Sequence, residues 1–157
     1  RAAAAGLAGV LQRLGLPCRV SGGRAPVNNS VSQSLSATTG AISTVRDLAR
    51  YDGALGGSVL LHRDTMAGMW TNARTTGGSS MPTGLGWFVQ NYNGGRLVWQ
   101  FGVGDNASSS MIISAPERGL TLILLANSDG LARPFDLSAG DITVSPFARL
   151  FLSIFIR

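Results

Sequence analysis

The sequence predicts an α+β domain in which helices pack on an antiparallel β-sheet. Three observations predict it. Between Leu85 and Asn127, short runs of aromatic and β-branched residues alternate with Gly, Asn and Pro, as in an antiparallel meander. Apolar residues at helical spacing occur on both sides of that stretch. The chain has 157 residues, enough for one domain that buries roughly 68–70% of its unfolded surface.

The elements follow in chain order. Residues 2–14 place Leu7, Val10, Leu11 and Leu14 on one helical face, and Gly15 ends the pattern. The segment is Ala-rich but lacks a signal-peptide cleavage site, so it reads as a helix or as the ragged start of a fragment. Cys18-Arg19-Val20 reads as a short strand closed by Gly22-Gly23, and residues 24–40 as a long Ser/Asn/Thr/Gly loop. Thr44 caps the clearest helix, near 44–55, and Asp47 sits where a carboxylate suits the helix dipole. Val45, Leu48, Ala49 and Leu55 form its expected apolar face, and Gly56-Gly57 stops it. A second short helix follows Asp64, with Met66, Met69 and Trp70 as its apolar side, and residues 71–84 return to loop.

The meander comes next, at about 85–126. Its segments are Gly86–Gln90, then Arg96–Gly102 after Asn93-Gly94-Gly95, then Ser109–Ile113, and finally Leu120–Leu125 after Pro116-Glu117-Arg118-Gly119. Residues 127–143 are irregular. Ser145-Pro146 opens a last helix, near 145–156, because Pro is tolerated in the first helical turn. Phe147, Leu150, Phe151, Ile154 and Phe155 make its apolar face, which is expected to pack on the sheet. The expected division is an N-terminal helix and irregular segment at 1–36, followed by a single α+β unit at 37–157. No repeat interrupts it.

Composition excludes several function classes. Only 13% of residues are charged, against about 25% in an average domain. Much of the surface is therefore uncharged or covered by a partner. All 13 basic residues are arginine, but they are scattered and form no stripe, so no nucleic-acid partner is expected. Cys18 is the single cysteine, which rules out an internal disulfide and reads as a small buried residue. No apolar run is long enough for a membrane span. No metal and no other cofactor is expected. Asp105, Asn106 and Asp129 fall in strand-end turns that favour Asp and Asn for backbone reasons. Glu117 is the only glutamate, so paired-Glu chemistry is out. His62 lies between an apolar run and a helix start, and a triad role for it depends on geometry that sequence does not carry. Among the tryptophans, Trp87 is expected in the core and Trp99 at a pocket rim.

Three stretches resemble the C-terminal part of the serine β-lactamase-like family, which includes penicillin-binding proteins, class C β-lactamases and related esterases. The first is Ala37-Thr38-Thr39-Gly40-Ala41-Ile42-Ser43-Thr44-Val45-Arg46-Asp47-Leu48-Ala49-Arg50-Tyr51, similar to the family's loop-into-helix segment. The second is Gly84-Leu85-Gly86-Trp87, similar to a Tyr-Gly-Leu-Gly-Trp strand start. The third is Trp99-Gln100-Phe101-Gly102 with the two strands after it, through Pro116-Glu117-Arg118-Gly119 to Ala126-Asn127. Their order over roughly 37–155 implies a partial β-lactamase-like fold and hydrolysis of an amide or ester: a β-lactam, a D-peptide or a small ester.

The resemblance also implies a site. The family uses Ser-x-x-Lys as nucleophile and base, a Tyr-x-Asn or Ser-x-Asn, and a Lys-Thr-Gly or His-x-Gly strand carrying an oxyanion hole. Only the strand has a counterpart here. Gln100-Phe101-Gly102 aligns with it, and the Val103 N–H is the implied oxyanion donor. Trp99, Gln100 and Phe101 are the implied substrate-binding residues, with Gly102 and Val103 at the reacting end. Without lysine there is no Ser-x-x-Lys, and Tyr51-Asp52-Gly53 and Tyr92-Asn93-Gly94 both fail Tyr-x-Asn. Gln100 stands where the family has Lys or His, so it offers hydrogen bonds but no charge. The expectation is the C-terminal portion of a longer enzyme, feebly active or inactive alone, whose substrate is a small amide or ester. The alternative is a non-catalytic module that forms a homodimer or is complemented by an N-terminal segment. The expected protein is soluble, in the bacterial cytoplasm or the cell envelope, and the sequence does not separate the two.

Overall fold

The computed structural model describes residues 43–105 and 107–156, together with the backbone of residues 18–19 and 25–26. The expected helix at 2–14 and the loop into the first helix at 37–42 lie outside the described residues. Strands β1 (Cys18–Arg19) and β2 (Ala25–Pro26) pair antiparallel, Cys18 opposite Pro26. The strand expected at Cys18 is present. Its partner, β2, falls inside the stretch that reads as a long loop.

Helix α1 spans Val45–Gly56. Thr44 caps it as expected: its Oγ1 accepts from the Asp47 N–H at 3.1 Å and donates to Asp47 Oδ2 at 3.0 Å. Gly57 closes the other end. Helix α2 spans Arg63–Met69, buries Met66, and starts one residue before Asp64. Residues 71–84 hold no helix or named strand, as expected.

The sheet is β3 (Phe88–Tyr92), β4 (Gly95–Gly104), β5 (Ser108–Ala115) and β6 (Leu120–Ala126), all antiparallel in chain order. The β3–β4 turn places Asn93 at φ 46 and Gly94 at φ 74. That is the left-handed pair a tight two-residue hairpin demands. The β5–β6 connection turns through Pro116–Arg118 into Gly119 at φ 62. Gly86 has φ 77, so Gly86-Trp87 is a turn and β3 begins only at Phe88.

Alternation along the strands gives the sheet two covered faces. One carries Leu97, Trp99, Met111 and Ile113, which pack with helix α3 (Pro146–Phe155) and with Leu137 and Ile142 of the short 3-10 turns before it. The other carries Val98 and Ile112, which pack with Leu55 of α1, Met66 of α2 and Trp87. Thr121 of β6 ties α1 to this face by donating to Asp52 Oδ2 at 2.7 Å. Gln90 ties β3 to the 3-10 segment, donating to Asp141 Oδ1 at 2.8 Å and accepting from the Ile142 N–H at 2.9 Å.

Two expected helix faces are corrected. In α3 the buried side chains are Ala148, Phe151 and Leu152, while Phe147, Leu150, Ile154 and Phe155 are exposed. The helix is apolar nearly all round, so its sequence does not mark the buried side. In α1 only Leu55 is buried and Leu48 half-buried; Val45 and Ala49 face outward. No helix among the described residues is long and apolar enough to cross a membrane.

Candidate active site

β4 outruns β3. Phe88 pairs with Trp99, and β3 ends there, whereas β4 continues beside β5 to Gly104. Residues 100–104 therefore have a strand neighbour on the β5 side only. The opposite edge presents backbone donors and acceptors to whatever lies beside it.

The direction of those donors follows from two observations. The Phe101 N–H donates to the side-chain Oε1 of Gln100 at 2.9 Å, so it is turned away from β5. Backbone N–H groups alternate between the two edges of a strand, so residues 101 and 103 share an edge. The Val103 N–H thus lies on the unpartnered edge, and those of Gln100 and Gly102 point into the ladder with β5.

Gln100 is held from two directions. Its Oε1 takes the Phe101 N–H, and its Nε2 donates to the Gly86 carbonyl at 3.0 Å. A primary amide retains one further N–H and one further lone pair after that. The Gly86 carbonyl is itself fixed by the turn before β3. There the Gly84 N–H donates to the Trp87 carbonyl at 2.7 Å, and the Leu85 N–H to the Met69 carbonyl at 3.1 Å. Gly84 is required by close approach: a Cβ there would lie 2.1 Å from the Met69 carbonyl oxygen.

A groove of about 190 Å³ lies between α1 and the sheet, starting at Gln100. Leu48 and Tyr51 form its helix wall. Trp87, Gln100, Phe101, Ser110, Met111, Ile112 and Leu125 form the rest. Ser110 and Tyr51 bring hydroxyls to this lining, and no hydrogen bond joins either to the described residues. Ser110 stands directly across from Gly102, and a Cβ on Gly102 would meet Ser110 Oγ at 2.7 Å. Glycine at 102 therefore leaves room for this hydroxyl.

The structure brings four of the five sequence-predicted residues to this edge and groove. Gln100 and Phe101 line the groove, although the Phe101 ring itself packs with Trp99 and Phe88 on the α3 face, and Gly102 and Val103 continue along the same strand, with the Val103 side chain 43% exposed. Trp99 is the correction. It is fully buried against α3, not at a rim, with its ring stacked on Phe88 at 4.2 Å. Alternation puts it on the opposite face from Gln100, where it contacts no groove. Trp87, expected in the core, does pack against Leu55, Met66 and Val98, and it also walls the groove. His62 is exposed at the start of α2 and lines no part of the groove. Sequence reasoning did not find Ser110, Leu48 and Leu125. The signal available was the Ser108-Ser109-Ser110 run, small polar residues inside an otherwise apolar strand.

A family model described as Beta-lactamase matches residues 3–143. The chain belongs to the beta-lactamase family. This is the serine hydrolase family of β-lactamases and transpeptidases. The match begins well before the motifs at 37–155 that carry the resemblance, and it ends before α3. No curated protein and no solved structure matches the chain.

Proposed function

We propose that this member of the beta-lactamase family supplies the sheet-side wall of a hydrolytic cleft for amide or ester bonds. The observation that carries the proposal is the unpartnered edge of β4 at residues 100–104, with the Val103 N–H on it. A carbonyl laid along this edge accepts the Val103 N–H as its oxygen gains charge. A preorganised donor of that kind is worth roughly 10²–10³ in rate. Gly102, without a side chain, leaves room for a substrate beside Ser110, and Gln100 borders the part of the substrate that enters the groove. Gln100 orients by hydrogen bonding and supplies no charge.

The nucleophile and base of the family type are not encoded in these residues, because the chain has no lysine. In this reading another polypeptide segment brings Ser-x-x-Lys to the edge. The chain by itself then has binding surface and half an oxyanion hole. Such remnants leave roughly 10³–10⁴ over water even in intact sites.

Amide hydrogen exchange tests the edge directly. The Val103 N–H is expected to exchange far faster than those of Gln100 and Gly102. Equal protection at Val103 would place its N–H in the ladder and remove the donor. Intact-mass measurement after incubation with p-nitrophenyl acetate and a chromogenic β-lactam tests the missing nucleophile: a stable acyl adduct on the chain alone contradicts the proposal.

One observation favours a second reading, a self-associating or complemented module. Leu150 is 64% exposed and Ile154 52% on the outer side of α3, beside exposed Phe147 and Phe155. Apolar stripes of this kind mark interfaces. A clean monomer in sedimentation equilibrium at high concentration excludes the homodimer.

A further inference from the structure

We infer that the groove selects an uncharged ester or amide and rejects substrates that carry a carboxylate beside the scissile bond, as β-lactams and D-peptides do. The inference rests on the reading of the β4 edge as a cleft wall, and it concerns what that wall can hold.

Among the described residues the lining has no ionised group. Leu48, Trp87, Ile112 and Leu125 are apolar, and Tyr51, Gln100 and Ser110 are neutral hydrogen-bonding residues. The strand position occupied by Gln100 carries an amide whose nitrogen and oxygen already hold the Gly86 carbonyl and the Phe101 N–H. It has no positive charge to set against an anion, and its bonds keep it from swinging to make room for one. On α1, Arg50 is paired with Asp47 at 3.0 Å. Beyond the end of β4, Arg133 is paired with Asp105 and approaches Asp129 at 3.8 Å. A carboxylate entering this groove gives up water and meets, among the described residues, only neutral donors, an uncompensated desolvation. A neutral acyl or alkoxy group buries apolar surface there instead.

Among the described residues, two hydroxyls join the remaining Gln100 N–H in recognising a neutral substrate. Ser110 Oγ and the Tyr51 hydroxyl line the groove with no hydrogen bond to the described residues, and Ser110 sits across from Gly102 at the strand the substrate follows. A hydroxyl donates to an ester or ether oxygen as readily as it accepts. Ser110 is therefore the specificity-determining residue on the sheet, and Tyr51 its counterpart on the helix.

The test uses the full chain and a matched pair of probes that differ in one charge: methyl 4-acetoxybenzoate and 4-acetoxybenzoate. Binding is read from the Trp87 indole N–H and the Gln100 and Ser110 amides in ¹H–¹⁵N spectra. The neutral probe is expected to shift these signals at a concentration at least about tenfold lower than the anion, as the lost hydration of an unpaired charge requires. Ser110→Arg is expected to reverse that order while the neutral probe weakens. Should that variant fail to fold, Tyr51→Arg, at a 43% exposed helix position, carries the same expectation. Equal or tighter binding of the anion to the parent chain, at the same signals, overturns the specificity while leaving the cleft wall intact. The same holds for an unchanged order in both arginine variants. No shift at any of the three signals with either probe overturns the cleft wall itself, and the specificity with it.

Discussion

Replacing Gly84 by alanine probes the turn that positions the groove. The added Cβ would sit 2.1 Å from the Met69 carbonyl oxygen and 2.7 Å from that of Thr71. Ordinary contact begins at 3.4 Å, so the two backbones must separate by about 1.3 Å (3.4 − 2.1). Neither obstacle is a side chain that rotates aside. The separation breaks the Leu85 N–H bond to the Met69 carbonyl and strains that from the Gly84 N–H to the Trp87 carbonyl. Each is worth about 1 kcal/mol, and forced overpacking adds roughly 1–3 kcal/mol. The expected loss is therefore roughly 3–5 kcal/mol, or roughly 6–20 °C in Tm for a chain of this size. Urea and thermal unfolding measure it. The control is Gly53→Ala in α1, where nothing lies within 4 Å of the new Cβ. It is expected to hold stability constant or raise it by up to about 1 kcal/mol. A Gly84→Ala protein within 1 kcal/mol of the parent would refute the argument that close backbone approach fixes this turn.

Two further outcomes are expected. Trp99→Ala empties the space between sheet and α3, at a cost of roughly 3–5 kcal/mol in urea unfolding. A loss under 1 kcal/mol would mean that the ring is not in the core. Asp141 is held below the ordinary carboxylate range by hydrogen bonds from the Thr143 hydroxyl, Gln90 and the Thr143 N–H, against the opposing effect of burial. Its folded pKa is lower than its unfolded one, so its contribution is complete above the unfolded value of about 3.9. It is lost as pH falls through the folded value. The stability difference between the parent and Asp141→Asn should thus shrink as pH drops below about 4, and a pH-independent difference would contradict it.

The meander was legible almost residue by residue. The expected segments 96–102, 109–113 and 120–125 lie inside Gly95–Gly104, Ser108–Ala115 and Leu120–Ala126. Asn93-Gly94 and Gly119 announce turns because Gly and Asn accept the left-handed backbone found there at little cost. What the sequence did not reveal was sidedness. Because the sheet is covered on both faces, its strands read as near-continuous apolar runs, and nothing local separates Trp87 from Trp99. The same applies to α3, where Leu152 is buried and Leu150 exposed with no difference in residue type. The strand at Gln100–Val103 was found through its resemblance to a family motif. The helix wall of the groove was not, since Leu48 and Tyr51 reach Ser110 and Leu125 only through long-range packing.

Splitting the interior into two separate layers gives the molecule a pair of natural optical reporters. Trp99, sealed beneath α3, loses its environment only when the entire chain melts. Trp87 borders an opening and answers to whatever enters it. Emission altered by a docked small molecule should consequently arise from Trp87, and acrylamide quenching from Trp87 together with the half-buried Trp70, while the blue-edge signal that survives both tracks global denaturation.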